Sequence, residues 1–216
     1  HPGRHVTWYG NDFQRERALA CLTGLLGAVG VQGGLVKPKG PKGIKRINWP
    51  KAETAGEGDL RRMQDVHHFH PPGCPTELIR EAAISGDPYP IKGCVIWGQN
   101  MIQTIPGQDR TIKMLEQMDF VLCTDIMPTD ITMYADILLP DCSYLEKYDF
   151  IKTGTQWDFS EEHQQYIAPR MALVEPGFER KDSVWIVNEI AKRMGYGDKI
   201  PVASQEEMMA QSLDGL

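Results

Sequence analysis

Three short apolar segments between residues 91 and 139 constrain the fold of this chain most strongly. They cover residues 91–97 (IKGCVIW), 119–124 (DFVLCT) and 135–139 (ADILL). Between the first two, Ile112, Leu115 and Met118 fall on one face of a predicted helix over residues 109–118. Strands this apolar are typical of sheets buried on both faces, and their alternation with helices indicates right-handed βαβ units. The sequence therefore predicts an α/β fold: an open, mostly parallel sheet with flanking helices.

Three further helices are predicted outside this region. The first begins at a cap formed by Asn11 or Asp12 and ends in the glycine-rich residues 27–34, because glycine permits the left-handed backbone that stops a helix. Its apolar residues on one stripe are Leu19, Leu22, Leu25, Leu26 and Val29. The second helix covers residues 76–85 and the third covers residues 182–194. In the third, the residues predicted to face inward are Val184, Val187, Ile190, Ala191 and Met194.

The chain divides where periodicity is weakest. Residues 35–75 are rich in Gly, Pro and Lys and show little pattern, and a stretch of that length is too long for a simple connection inside a compact domain. We therefore expect residues 1–88 to form a helix plus a long loop region that completes a neighbouring domain. Residues 89–216 are predicted to form a Rossmann-like α/β half-domain.

Composition excludes several classes of protein. Lys and Arg number 23 against 29 Asp and Glu, which gives a net charge of −6, and no long basic run is present, so a nucleic-acid partner is disfavoured. No segment approaches the roughly 20 apolar residues of a membrane helix. The 5 cysteines are scattered without a Cys-x-x-Cys pair, which disfavours a disulfide framework, an iron–sulfur cluster or a zinc ribbon within these residues. Cys94 and Cys123 lie in apolar runs and are predicted to be core residues.

Polar residues and a glycine follow the first two predicted strands. Gly98, Gln99 and Asn100 end the first strand, and Thr124 and Asp125 end the second. In open α/β sheets, ligands bind beyond the carboxyl ends of the strands. Glycine allows the backbone to approach a ligand, and Asn and Asp offer directional groups to a base or ribose. The alternative is that these residues only form turns closed by an Asx hydrogen bond.

A second polar cluster, at His67, His68, His70 and Cys74, has ligand types that suit zinc or copper. Three histidines within four residues cannot all face one ion on a regular element, so a loop that packs on a partner or lines an access funnel is the favoured interpretation. Met208 and Met209 are interpreted as helix packing rather than as a ligand pair.

An ordered set of motifs carries a family resemblance. The set consists of VIWGQN at residues 95–100, MDFVLCTD at 118–125, PTDITMYADILLP at 128–140 and YLEK at 144–147. In this order the motifs resemble the catalytic subunits of the molybdopterin oxidoreductase (dimethyl sulfoxide reductase) superfamily. Trp8-Tyr9-Gly10 and the glycine run after the first helix resemble its polysulfide, thiosulfate and arsenate reductase branch. One position departs from the family pattern, since Met101 stands where a proline often follows the Gly-x-Asn motif.

The resemblance implies a bis(molybdopterin guanine dinucleotide) cofactor that holds molybdenum or tungsten. It implies that one guanine dinucleotide lies in a groove lined by Trp97, Gly98, Gln99, Asn100, Thr124, Asp125 and Thr129. No metal ligand is assigned within this chain. Arg4 and His5 are expected to position a small anionic substrate, because Arg suits bidentate binding of an oxyanion, with a surface or terminal pair as the alternative.

The resemblance also implies a longer protein, of which these residues are an internal fragment that would not be active alone. A 4Fe-4S cluster is expected in the preceding part, with an iron–sulfur electron-transfer subunit and a membrane anchor subunit as partners. The expected role is anaerobic respiration with a sulfur or arsenic compound, at the periplasmic side of the membrane or alternatively in the cytoplasm.

Two other function classes stay open beside this one. The first is a non-catalytic α/β domain that binds a nucleotide or serves as a scaffold. The second, an independent dinucleotide dehydrogenase, is disfavoured because no Gly-x-Gly-x-x-Gly follows a predicted strand.

Overall fold

The computed structural model describes residues 12–35, 45, 47–50, 76–87, 89–152 and 167–214. The α-helices are α1 (Asp12–Leu25), α2 (Thr76–Ser85), α3 (Met101–Thr104), α4 (Gln108–Glu116), α5 (Ser183–Arg193) and α6 (Gln205–Leu213). The strands are β1 (Gly93–Trp97), β2 (Phe120–Asp125), β3 (Ile137–Pro140), β4 (Asp149–Lys152) and β5 (Ile167–Arg170). Two 3₁₀ helices cover Asp130–Tyr134 and Gly197–Lys199. Across these described ranges, no helix has both the length and the apolar character needed to cross a bilayer.

The chain forms two compact units. One takes the described residues of 1–23 and 53–139, and the other takes those of 24–52 and 140–216. The predicted division into residues 1–88 and 89–216 stays a prediction.

The first unit is built on a three-stranded sheet in the order β1-β2-β3. β1 and β2 pair in parallel, with Gly93 opposite Phe120 and Trp97 opposite Thr124. β3 lies on the other side of β2 and follows it after only the 3₁₀ helix Asp130–Tyr134. The predicted α/β fold with a parallel sheet is therefore confirmed. The helix α3, a single turn directly after Asn100, is not predicted from the sequence.

The core of this unit surrounds the central strand. In β2, Val121 and Cys123 are buried and pack with apolar residues from the adjoining strand and helices: Ile96, Ile102, Met114, Leu115 and Ile131. The prediction of strands buried on both faces holds for β2 alone. Val95 of β1 is 62% exposed and Ile137 of β3 is 45% exposed, so the described residues leave one face of each outer strand uncovered. Cys94 is half-buried against the core and Cys123 is fully buried, as their predicted core role requires.

The first predicted helix ends where its glycines begin. α1 stops at Leu25, and Gly27 has a φ of +63° while its N–H donates to the carbonyl oxygen of Gly24. Leu22 and Leu25 on its apolar stripe are 51% and 86% exposed, so the described part of the chain does not cover this stripe.

The second unit contains helix α5 and an antiparallel β4–β5 pair that the sequence analysis did not predict. α5 begins after Asp182, whose Oδ1 accepts a hydrogen bond from the backbone N–H of Trp185 at 3.0 Å. The buried residues of α5 are Val184, Ile186, Asn188 and Ala191. The prediction that Met194 faces inward is wrong: it is the C-cap residue and 65% exposed, because the helix ends at Arg193 and Gly195 turns away at a φ of +80°. In α6, Met208 is half-buried and Met209 is buried, which agrees with their predicted packing role.

Candidate functional site

The carboxyl ends of the parallel strands β1 and β2 lie at the same edge of the sheet, and Gly98 directly follows β1 there. The N–H of Gly98 donates to the carbonyl oxygen of Thr124 at 2.8 Å, so the pairing with β2 continues one residue beyond the end of β1. Gly98 has a φ of +55°, a left-handed conformation that favours glycine. Apart from Gly98 and its two chain neighbours, no atom of the described residues lies within 4 Å of the position that a Cβ would take on Gly98. The backbone is therefore open to a ligand at the point where the two strands end.

The loop after β1 is tied to the segment after β2 by one carboxylate. Asp130 Oδ2 accepts a hydrogen bond from Asn100 Nδ2 at 3.3 Å and another from Gln103 Nε2 at 2.7 Å. The Gln103 amide is the main cause, and the Asn100 amide the second cause, of a pKa of Asp130 below its ordinary value of 3.8. Asp130 is therefore a stable anion that accepts from both amides.

Asp125 is half-buried at the end of β2. Its Oδ1 accepts a hydrogen bond from the N–H of the next residue, Ile126, at 2.7 Å, which is a turn-forming bond. Its Oδ2 has no partner among the described residues. Asp125 thus has one oxygen in the turn and a second available to a donor, so the structure leaves room for both interpretations of this residue.

Three buried side-chain oxygens near this edge have no hydrogen-bond partner in the described part of the chain. They are Asn100 Oδ1, Thr124 Oγ1 and Thr129 Oγ1. At the start of the 3₁₀ helix, Thr129 and Thr132 form a capping box, in which the N–H of Thr129 donates to Thr132 Oγ1 at 3.1 Å. Buried polar groups are nearly always paired, with protein, ordered water or a ligand. Unpaired oxygens on three of the predicted groove residues therefore indicate that this edge can bind a further polar group.

Several predicted site residues lie outside the described residues: Arg4, His5, His67, His68, His70 and Cys74. Trp97 is half-buried and Gln99 is exposed at the same edge as Gly98. Within the ranges the structure describes, no three His, Cys, Asp or Glu side chains come together in a way that could hold a metal ion.

Comparison with known proteins identifies the family. The sequence model of the molybdopterin oxidoreductase family matches residues 20–193. The chain belongs to the molybdopterin oxidoreductase family. The thiosulfate reductase molybdopterin-containing subunit PhsA of Salmonella typhimurium is 28% identical over 99% of this chain. The dimethyl sulfoxide reductase DmsA of Escherichia coli is 26% identical over 96% of it, and the acetylene hydratase of Syntrophotalea acetylenica is 29% identical over 72%.

The matched proteins are much longer than this chain. The chain spans 29% of the length of PhsA, 25% of DmsA and 21% of the Syntrophotalea acetylene hydratase. Among solved structures, acetylene hydratase from Pelobacter acetylenicus matches with a TM-score of 0.54 and 24% identity, over 73% of this chain and 21% of that chain. This structural likeness shows the shared fold.

Membership of the molybdopterin oxidoreductase family implies a molybdopterin cofactor with its metal. The edge described above fits a polar group of that kind in two respects. The open position beside Gly98 leaves space at the backbone, and the unpaired oxygens of Asn100, Thr124 and Thr129 offer acceptors.

Two residues of the family motifs, Asp136 and Glu146, have structural roles and accept hydrogen bonds from the backbone away from this edge. Asp136 Oδ2 accepts from the backbone N–H of Val121 at 2.7 Å, at the opposite end of β2. Glu146 is buried and accepts from the N–H groups of Ser143 at 2.9 Å and Gly177 at 3.3 Å. Glu146 also forms an ion pair with Arg180 at 2.6 Å.

Asp130 and Gln103 are not among the site residues predicted from the sequence. A signal existed for Asp130, because a threonine followed by an acidic residue is typical of the first turn of a helix. Gln103 gave no such signal, since its contact with Asp130 depends on the single turn of α3.

Proposed function

We propose that this chain is part of a molybdenum- or tungsten-dependent oxidoreductase and holds one guanine dinucleotide of a bis(molybdopterin guanine dinucleotide) cofactor. The groove would be formed by Gly98, Asn100, Thr124, Asp125 and Thr129, with Trp97 and Gln99 beside them. The observation that carries the proposal is the open, left-handed Gly98 at the edge where β1 and β2 end together. Ligands of open α/β sheets bind at such edges.

The chemistry of the edge favours the base or ribose over the phosphates. Its available groups are the second oxygen of Asp125 and the amide oxygen of Asn100, which only accept hydrogen bonds, and the hydroxyls of Thr124 and Thr129, which can accept or donate. A guanine edge presents N–H donors and a ribose presents hydroxyls, and a carboxylate suits paired donors. A phosphate would meet the negative charges of Asp125 and Asp130 there, which is unfavourable.

The proposed activity of the whole protein follows its relatives. PhsA is named a thiosulfate reductase subunit and DmsA a dimethyl sulfoxide reductase, which supports a sulfur compound as the substrate. Our proposal extends to an arsenic compound as the alternative and to a role in anaerobic respiration. The bound metal centre would supply the electron and atom transfer, with electrons from a 4Fe-4S cluster and an iron–sulfur subunit. We place this enzyme at the periplasmic side of the membrane, with a membrane anchor subunit as a further partner. Within the chain, Arg4 and His5 would position the anionic substrate.

A second candidate is a non-catalytic nucleotide-binding or scaffold domain. The observation that favours it is the bond from Ile126 N–H to Asp125 Oδ1, which is what a residue that only forms a turn would make. In that case no side chain at the edge would be needed for a cofactor.

The test is a pair of matched glycine variants in the complete protein. Gly98 and Gly86 both have positive φ, at +55° and +76°, and both have open space where a Cβ would be. Valine at either position costs backbone strain on the order of 1–2 kcal/mol. If the groove holds the dinucleotide, Gly98→Val lowers the pterin and metal bound per folded protein, while Gly86→Val leaves both unchanged. Full cofactor content in Gly98→Val, with only a lowered melting temperature, would overturn the proposal.

A further inference from the structure

We infer that Asp130 is a positioning residue for the cofactor groove, which fixes the carboxamide of Asn100 so that its oxygen, and not its nitrogen, faces inward. This inference rests on the proposed function, because it assigns Asp130 a role at the same edge. Asp130 is exposed and lies at the first position of the 3₁₀ helix that follows Thr129.

The Asp130 carboxylate determines which end of the Asn100 carboxamide it contacts. A carboxylate only accepts hydrogen bonds, so a carboxamide that faces it must present its NH₂ group. Asn100 Nδ2 donates to Asp130 Oδ2 at 3.3 Å, and Gln103 Nε2 shares the same oxygen at 2.7 Å. With its nitrogen held on the outside, Asn100 has its Oδ1 in the interior, where that oxygen is buried and has no partner among the described residues. Without the carboxylate, either end of the carboxamide could turn inward.

Asp130 also connects the segment that follows β1 to the segment that follows β2. Asn100 caps α3, and its carbonyl oxygen accepts from the N–H groups of Gln103 at 3.1 Å and Thr104 at 3.0 Å. The two hydrogen bonds to Asp130 therefore join the first turn of α3 to the 3₁₀ helix, and both elements also contribute a buried residue, Ile102 and Ile131, to the same core. Asp130 thus ties the loop that carries Asn100 to the segment that carries Thr129.

The orientation of the Asn100 carboxamide affects which ligand groups the edge can bind. An inward oxygen on Asn100 gives the edge a fixed acceptor, whereas the unpaired hydroxyls of Thr124 and Thr129 can either accept or donate. The fixed acceptor selects groups that donate N–H or O–H bonds, such as a purine amino group or a ribose hydroxyl. If Asn100 presented its NH₂ group instead, it would oppose a donor of this kind.

The experiment compares Asp130→Ala and Asp130→Glu in the complete holoenzyme with Asp119→Ala as the matched control. Asp119 is also an exposed aspartate, but it precedes β2 at the opposite end of the strand and pairs with Lys92 at 3.6 Å.

The readout is the rate at which the pterin dinucleotide dissociates from folded protein during mild urea treatment. We expect Asp130→Ala to accelerate release about tenfold, the size expected for the loss of a charge-assisted hydrogen bond. We expect Asp130→Glu to restore part of the retention and Asp119→Ala to match the wild type.

A double variant tests whether Asp130 acts through Asn100. If it does, Asp130→Ala combined with Asn100→Ala releases the cofactor no faster than Asn100→Ala alone. Additive effects, or wild-type release from Asp130→Ala, would overturn the inference.

The Gly98→Val variant distinguishes a wrong role for Asp130 from a wrong groove. If Gly98→Val loses cofactor while Asp130→Ala retains it, the groove stands and only the role of Asp130 is wrong. If Gly98→Val also retains cofactor, the proposed groove fails with it.

Discussion

Asp136 and Val121 exchange two hydrogen bonds. The N–H of Val121 donates to Asp136 Oδ2 at 2.7 Å, and the N–H of Asp136 donates to the carbonyl oxygen of Val121 at 2.9 Å. The carboxylate thus takes the place of a backbone carbonyl at the start of the β2–β3 pairing. It anchors the chain where β3 begins, so the Ala135-Asp136 motif of the family resemblance has a structural role here.

Removal of the Asp136 carboxylate is expected to destabilise the sheet. Val121 is 1% exposed, and its N–H would lose its partner in Asp136→Ala, which costs about 1–3 kcal/mol for a buried unpaired donor. Asp136→Asn retains an acceptor oxygen and should cost less. Urea unfolding of the complete protein, with hydrogen exchange measured at residues 119–125, checks both variants. Equal exchange rates in wild type and Asp136→Ala would contradict the anchoring role.

Asp125 allows a substitution that separates its two interpretations. Asp125→Asn keeps an oxygen that can accept from the N–H of Ile126, but it replaces the second oxygen with a donor. If that second oxygen binds the guanine edge, Asp125→Asn loses pterin and metal as severely as Asp125→Ala does. If Asp125 only forms the turn, Asp125→Asn keeps wild-type cofactor content and stability, and Asp125→Ala loses stability alone.

The sequence predicted the edge of the sheet well but not the contacts across it. The end of β1 at Trp97 was predicted to the residue because an apolar run stops at Gly98, a purely local signal. The bridge from Asp130 to Asn100 and Gln103 was missed because it joins residues 30 and 27 positions apart through a one-turn helix that has no periodicity of its own.

Buried polar residues and short strands are also difficult to predict from the sequence. Asn188 interrupts the apolar face of α5, yet it is buried because its Nδ2 donates to the carbonyl oxygens of Val184 at 2.9 Å and Val202 at 3.0 Å. The partner at Val202 is a tertiary contact that no helical pattern reveals. The β4–β5 pair has four residues in each strand, too few for alternation to stand out from the surrounding loops.

The substrate role proposed for Arg4 has a kinetic test. If its guanidinium holds an anionic substrate, Arg4→Ala in the complete enzyme lowers kcat/KM about ten- to a hundredfold, the effect of losing a charge-assisted contact of about 1.5–3 kcal/mol. The metal content should not change. Arg4→Lys keeps the charge but not the bidentate geometry, so its kcat/KM should lie between the two. Wild-type kinetics in Arg4→Ala would assign the residue to structure or surface.

Glu146 should make the stability of the second unit sensitive to acid. It is 6% exposed, and its carboxylate accepts from the N–H of Ser143 and the N–H of Gly177 and pairs with Arg180. The hydrogen bond from Ser143 is the main cause that holds the pKa of Glu146 below its ordinary value of 4.5, against the opposing effect of burial. Because the folded state lowers this pKa, the carboxylate contributes stability above pH 4.5, and that contribution is lost as the pH falls from 4.5 through the lower, folded value.

The variant Glu146→Gln tests this pH dependence directly. Its amide has one oxygen to accept with, and its NH₂ group must face a backbone donor or the Arg180 guanidinium. At pH 7 we expect Glu146→Gln to unfold at lower urea concentration than the wild type, with faster hydrogen exchange at residues 143–147 and 173–180. Below pH 4.5 the wild-type carboxylate takes up a proton first in the unfolded chain and at lower pH in the folded protein, so the difference between the two proteins should narrow. The control is Glu116→Gln, an exposed residue at the end of α4, which should match the wild type at every pH. A difference between Glu146→Gln and the wild type that stays constant from pH 7 to pH 3 would show that the side chain stabilises the unit by its packing and not by its charge.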